Sequence, residues 1–288
     1  MEVAIMRCRI VTTTLVVPLV LTSLAVGTAV AMPAARHLAS ALWNAPDYLP
    51  ALAQNGQVHF EPGAEEYARE VAALLPAALG RVEAAQGRRF ARPVTIGVYA
   101  TVEKYAVANA SGDPGAVGVG AFGRVVLSPT LYESQHQRLP AILTHELSHV
   151  HLQGYLSSYA WVRLPNWFKE GLAVTVSDGG DEYVSQREAQ RAIDRGQHID
   201  IDDTGSFLNL TEIGFARAPT GITPSHRTVM AYRQAHMFVQ FLHDFDNAGF
   251  DRMMDAILDN RPFADAVQVG YQDNIQSLWK RFASAAQR

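Results

Sequence analysis

The sequence predicts an α+β protein, and two observations carry that reading. Alternating, β-rich segments are confined to the first half, at 58–61, 94–99 and 124–128. From Leu139 onward, apolar residues recur at helical spacing instead, and strands followed by a run of helices imply α+β order rather than alternating α/β order.

Taken in order, the first 32 residues are a separate material. Arg7 and Arg9 precede an uncharged run over 10–35, and Ala29-Val30-Ala31 places small residues where a signal peptidase reads, so cleavage after Ala31 is expected. The run is also long enough to span a bilayer, so a retained anchor, a membrane tether through residues 10–32, is the alternative. Either way the remainder is expected outside the cytoplasm, in the periplasm or on the outer side of the cytoplasmic membrane. Cys8 is the only cysteine and precedes the apolar run, which excludes lipid attachment at its end and leaves no thiol for a disulfide or a metal further on. The expected organisation is a signal peptide or anchor over 1–35, a lead-in over 36–55 containing Pro46 and Pro50, and one domain over 56–288.

Within that domain, 64–86 has helical character that Pro76 is expected to kink or divide. A helix over 101–110 and a glycine-rich stretch over 112–123 lead to the strand at 124–128. The next helix is expected over 138–153, with Leu139, Ile142, Leu143, Leu147 and Val150 on its apolar face, Pro140 in its first turn and Gly154 just past its end. Another starts after Asn166, a candidate N-cap. Further helices are expected over 181–196, 231–245, 249–259 and 273–285, and the segment 204–225 reads as a long loop that could cover a cleft. The net charge of −4 is mixed in sign with no basic cluster, which argues against a nucleic-acid partner.

Chemistry concentrates at His145-Glu146-Leu147-Ser148-His149. Residues four apart on a helix lie about 40° apart around its axis, so His145 and His149 share a face and can bind one Zn²⁺. Glu146 stays close enough to act as a base on the attacking water. A third protein ligand is needed, and Glu170, in Asn166-Trp167-Phe168-Lys169-Glu170-Gly171-Leu172-Ala173, is the best candidate. Alone, Glu170 would read as a solvated glutamate in a first helical turn. Gly171 beside it permits close helix approach. His151 lies about 200° around the helix from His149 and cannot share the metal. His136, His226 and His243 read as ordinary structural or solvated histidines, while His236 is a candidate for lining the cleft.

These stretches, with Met230-Ala231-Tyr232-Arg233-Gln234-Ala235-His236, resemble the gluzincins, the zinc peptidase clan of thermolysin and aminopeptidase N, and most of all its short bacterial peptidase MA-like members. The similarity covers roughly residues 56–285, strongly at the motifs and loosely between them. It implies a zincin-like catalytic domain with a small mixed sheet, a helix carrying the two histidines and a mainly helical C-terminal lobe. It also implies one Zn²⁺ per chain on His145, His149 and Glu170, a catalytic Glu146, and Tyr232 at a helix start steadying the oxyanion. His236 follows Tyr232 by four residues and shares its face. In that group a peptide pairs with the edge strand preceding the zinc helix, which points to Gly123, Arg124 and Val125 as substrate-binding residues. Gly118 and Gly120 would also permit close backbone approach.

Two features depart from the aminopeptidase branch. Residues 120–124 carry no acidic side chain to hold a free amino group, and twenty residues lie between His149 and Glu170, slightly more than usual. The expected function is therefore a zinc endopeptidase acting on a peptide or protein substrate. The alternatives are a zinc hydrolase of other acyl substrates and a degenerate zincin, or membrane-tethered scaffold, that binds without catalysis.

Overall fold

The computed structural model describes residues 33–113, 115–179, 183–206 and 212–285. The first 32 residues, with the expected signal peptide or anchor, lie outside the described residues. The described residues open with α1 (Pro33–Trp43), a 3-10 turn (Pro46–Tyr48) and the short strand β1 (Ala51–Leu52). There follow β2 (Asn55–Phe60), α2 (Glu65–Gln86), β3 (Thr95–Val98), α3 (Val102–Ala108), β4 (Gly118–Ala121) and β5 (Arg124–Leu127). Among the described residues the later elements are helices, apart from one isolated bridge between Ile199 and Phe215: α4 (Pro129–Ser134), α5 (Leu139–Tyr155), α6 (Ser158–Arg163), α7 (Asn166–Ser177), α8 (Gln186–Asp194), α9 (Pro224–Phe245), α10 (Asn247–Leu258), α11 (Phe263–Tyr271) and α12 (Ile275–Ala285). The α+β class is as the sequence predicts.

The five strands form one mixed sheet in the order β1-β2-β3-β5-β4. β2, β3 and β5 run parallel, whereas β1 and β4 pair antiparallel at the two edges. Alternation along each strand sorts the side chains between two faces. Val58, Ile96, Val98, Val125 and Leu127 join the main core, which continues through α2, α5 and the C-terminal helices. Val126 faces the other way, into a smaller cluster with Tyr99, Tyr105 and Ala108. Gly97 is required on that outer face, because a Cβ there would lie 2.5 Å from Pro46.

Several elements differ from expectation for identifiable reasons. Residues 36–55 do not form a lead-in; they supply α1, the 3-10 turn and β1. α2 runs unbroken through Pro76, because the proline sits on the exposed side while Val71, Leu75, Ala78 and Val82 anchor the helix on both sides of it. α5 extends to Tyr155, so Gly154 lies inside its last turn rather than beyond it. Asn166 does not cap α7 with its side chain; Pro165 occupies that position, and the Asn166 amide donates to the Glu212 carbonyl at 2.9 Å. α9 begins at Pro224, capped by Thr223, so Tyr232 sits two turns inside the helix rather than at its start. The charged helix expected over 181–196 is observed as α8, and part of its expected span (181 and 182), like 207–211 of the long loop, lies outside the described residues.

Candidate metal centre

The centre is built from the two most thoroughly buried helices of the chain. α5 is buried on nearly every side from Ile142 to Leu152, packed between α2, α7 and the edge strand β4. A helix surrounded this way holds its side chains in fixed rotamers, which a coordination site needs. α7 is anchored by Trp167, fully buried against Phe168, Phe238 and Phe263. Gly171 lets α7 press onto α9, where a Cβ would fall 2.6 Å from the Ala235 carbonyl oxygen. The close approach anticipated at Gly171 is thus to the helix carrying Tyr232.

These contacts bring His145, His149 and Glu170 together as one buried group of three possible ligands. The two imidazole Nε2 atoms are 3.2 Å apart, and the Glu170 Oε2 lies 3.2 Å from His145 Nε2 and 3.4 Å from His149 Nε2. A tetrahedral zinc with ligand bonds of about 2.0–2.1 Å requires its donor atoms to stand about 3.3 Å apart, so the triangle has the size such an ion needs. Two nitrogens and one oxygen also match the preference of zinc, and three protein ligands leave a fourth position for water or substrate. The donors present fit the group.

Electrostatics favour a cation at this point. Burial opposes ionisation of Glu170, but the His149 charge and hydrogen bonds from His145 and His149 outweigh it and hold the carboxyl well below the usual range. Burial likewise opposes protonation of His149, yet the Glu170 charge and hydrogen bond raise its pKa. The Glu170 carboxylate therefore attracts either a proton on His149 or a metal ion among the three donors. Because a ligating imidazole must be neutral, acid competes with metal.

Glu146 and Tyr232 stand near this triangle. The Glu146 Oε2 accepts a 2.7 Å hydrogen bond from the Gly120 amide of β4. Gly120 can come this close only without a side chain, since a Cβ would lie 2.3 Å from the Glu146 carbonyl oxygen, and Gly118 is pressed against Ile142 in the same way. The close backbone approach anticipated at Gly118 and Gly120 is therefore made by α5. Tyr232 stacks beside His145, with ring centroids 6.4 Å apart. Burial pushes its hydroxyl pKa far up, reinforced by the charges of Glu170 and Glu146 and by a hydrogen bond to Glu170, so Tyr232 keeps its proton and can donate.

The edge strand expected at Gly123, Arg124 and Val125 needs correction. Arg124 and Val125 belong to β5, which is paired on both sides and is not an edge. Arg124 is held by Asp47, and Val125 is buried in the core. Gly123 is the second residue of the two-residue β4–β5 turn. The edge is β4, which the glycine-rich composition of 112–123 concealed. His236 lies one turn past Tyr232 on α9, half-buried, and is not one of the three donors. His226 pairs with Glu188 at 2.8 Å, His136 with Glu70 at 2.9 Å, and His151 with the Arg88 carbonyl at 2.8 Å.

Two neighbours of the centre were not singled out in the sequence. Trp161 of α6 meets the His149 ring edge-to-face at 6.3 Å, and the Lys169 ammonium lies 4.5 Å from the Trp161 ring centre. Lys169 is buried, its Nζ has no hydrogen-bond partner among the described residues, and burial pushes its pKa down to about 8, partly offset by Glu170 and Asp203. A lysine whose folded pKa is depressed costs stability in full below that value, and the cost fades as pH rises toward the unfolded value of about 10.4. Lys169→Met should therefore stabilise the fold by about 2 kcal/mol at pH 7, with a smaller gain at pH 10. Urea unfolding at the two pH values checks this, and a destabilised variant at pH 7 would show that the Trp161 and Glu170 contacts outweigh burial.

Comparison with known proteins adds no identification: no family model matches this sequence, and no curated protein matches it significantly.

Proposed function

We propose that the protein is a zinc-dependent peptidase, acting as an endopeptidase on exported peptides or proteins, and that it is a gluzincin relative with a zincin-like domain. The observation that carries the reading is the triangle of His145, His149 and Glu170, sized for a tetrahedral ion, with Glu146 held directly beside it. The bound zinc would polarise the scissile carbonyl and make water a stronger nucleophile.

The chain's own residues divide the rest of the work. Glu146, oriented by the Gly120 amide, takes the proton of the attacking water and passes it to the leaving amine. The Tyr232 hydroxyl, held protonated, donates to the oxyanion as the tetrahedral centre forms. β4 has no strand on its outer side among the described residues, and an extended peptide can align there by main-chain pairing. The uncharged run over 10–35 supports placement outside the cytoplasm, released or membrane-held. N-terminal sequencing of the mature chain tells these apart, and a soluble cytoplasmic pool keeping Met1 contradicts both.

The test of the peptidase reading is cleavage of a broad peptide mixture, abolished by a chelator and restored by zinc. Intact peptides with a zinc-loaded protein would leave the non-peptide hydrolase and the degenerate binding protein. Tyr232→Phe should keep the metal and the fold and lower turnover roughly a hundredfold, with substrate binding changed far less. Unchanged turnover would move the donor role elsewhere, with His236 the next to substitute.

A further inference from the structure

Among the exposed large apolar side chains, four lie on α1, the turn after it and the β4–β5 turn: Trp43 at 84%, Tyr48 at 77%, Phe122 at 58% and Leu42 at 48%. Leu42 and Phe122 line one shallow cavity together with Pro46 and Val119, so the end of α1 and the β4–β5 turn meet there. Trp43 follows Leu42 directly, and Tyr48 closes the 3-10 turn that packs on β3. Exposed apolar residues scattered singly need no explanation, whereas a gathered set marks a surface of contact.

Phe122 adds a second, independent observation. It has a φ of 54° in a two-residue turn whose other residue, Gly123, is also left-handed. Asn or Gly occupies that position without strain, whereas a bulky residue is an outlier there. The fold thus holds an aromatic ring largely toward solvent at a left-handed position.

The chain itself indicates what covers this end. The uncharged run over 10–35 leads directly into α1, whose 11 residues make a helix about 16 Å long ending at Trp43. One side of α1 is committed to the protein, with the Ser40 hydroxyl donating to the Val107 carbonyl at 2.8 Å. We propose that this face is a membrane-contact surface, with α1 lying along a phospholipid bilayer and Leu42, Trp43, Tyr48 and Phe122 seated at the headgroup boundary. Tryptophan and tyrosine favour that layer because each offers an apolar ring and a polar atom. Arg36, exposed on α1, adds attraction to anionic lipid. Phe122 lies two residues beyond Gly120, whose amide holds Glu146, so this placement puts β4 and the centre close to the bilayer and favours substrates at its surface.

The inference rests on the reading that the N-terminal segment delivers the chain to a membrane, and the experiment separates the two. The protein as isolated from cells, with whatever N-terminus it retains, is mixed with phosphatidylethanolamine–phosphatidylglycerol vesicles whose acyl chains are brominated near the headgroup. Trp43 is the one strongly exposed tryptophan among the described residues. Vesicles should therefore quench a component of emission that Trp43→Phe removes, while zinc content stays unchanged. For a chain cleaved after Ala31, flotation with vesicles should weaken roughly tenfold or more on Trp43→Ser with Phe122→Ser. Emission indifferent to brominated lipid overturns the proposal even if fractionation finds the chain at the membrane. Shielding of Trp43 that rises with protein concentration in the absence of lipid also overturns it, in favour of a protein partner. If fractionation instead places the chain in the cytoplasm, the export reading fails alone, and the vesicle result still decides the face.

Discussion

Glu146→Gln should retain about one zinc per chain and lose roughly a thousandfold in turnover, within the range general acid–base groups contribute. His145→Ala and His149→Ala should lose the metal and the activity together, because each removes one corner of a three-ligand site. The contrast matters more than any single loss. Glu146 touches the Gly120 amide and is not part of the donor triangle, so its amide variant leaves the triangle intact while removing the base. Elemental analysis of the purified variants together with a peptide-cleavage assay reads both quantities. A Glu146→Gln protein with parental turnover would end the general-base assignment, and a His149→Ala protein that still held stoichiometric zinc would end the ligand assignment.

Gly120→Ala should be nearly as damaging, although it adds only a methyl group far from any ligand atom in the sequence. Its Cβ would lie 2.3 Å from the Glu146 carbonyl oxygen, a rigid backbone atom, so β4 must move away from α5. That movement breaks the 2.7 Å hydrogen bond that orients the Glu146 carboxylate. A stability loss of about 1–3 kcal/mol is expected from the overpacking, with turnover at least tenfold lower and zinc retained. Gly123→Ala is the comparison: its surroundings are open and only the left-handed φ of 77° is strained, so a loss of about 1 kcal/mol without a change in turnover is expected. Equal activity of Gly120→Ala and the parent would show that β4 does not position Glu146.

The grouping of His145, His149 and Glu170 was legible in part: helix geometry alone places the two histidines on one face, whereas Glu170 was reached only through its pairing with their motif, and the burial of α7 that brings it to them was not. α2 was legible because it buries a stripe at helical spacing, Val71, Leu75, Ala78 and Val82, while α5 and β3 were legible from the spacing of their apolar residues although both are buried on more than one side. What escaped is what tertiary contact decides. β4 reads Gly-Val-Gly-Ala, with almost no β-forming side chains, and is a strand because its glycines admit the backbone of α5. The edge was therefore assigned to the neighbouring, more β-like segment at Arg124 and Val125. α6 and α11 are too short for periodicity to reveal them, and with α6 went Trp161. Pro76 misled for the opposite reason, since a local breaker was overruled by packing on either side.

The seam at Gly171 has a consequence for how this chain could be altered. There the backbone of α7 lies against the backbone of α9 at Ala235 with no space for a Cβ, so Glu170 and Tyr232 belong to one stiff unit rather than two adjustable parts. Substitutions along either helix would therefore shift Glu170 and Tyr232, the proposed ligand and oxyanion donor, together. The segment from 197 to 223 is tied to the same unit, through Glu212 to Asn166 of α7 and through Gln197 and Ile199 to Gln234 of α9, whereas the β4–β5 turn is not. On the proposed reading, selectivity can be engineered at that turn while the seam stays fixed, which makes the protein a frame with one exchangeable wall.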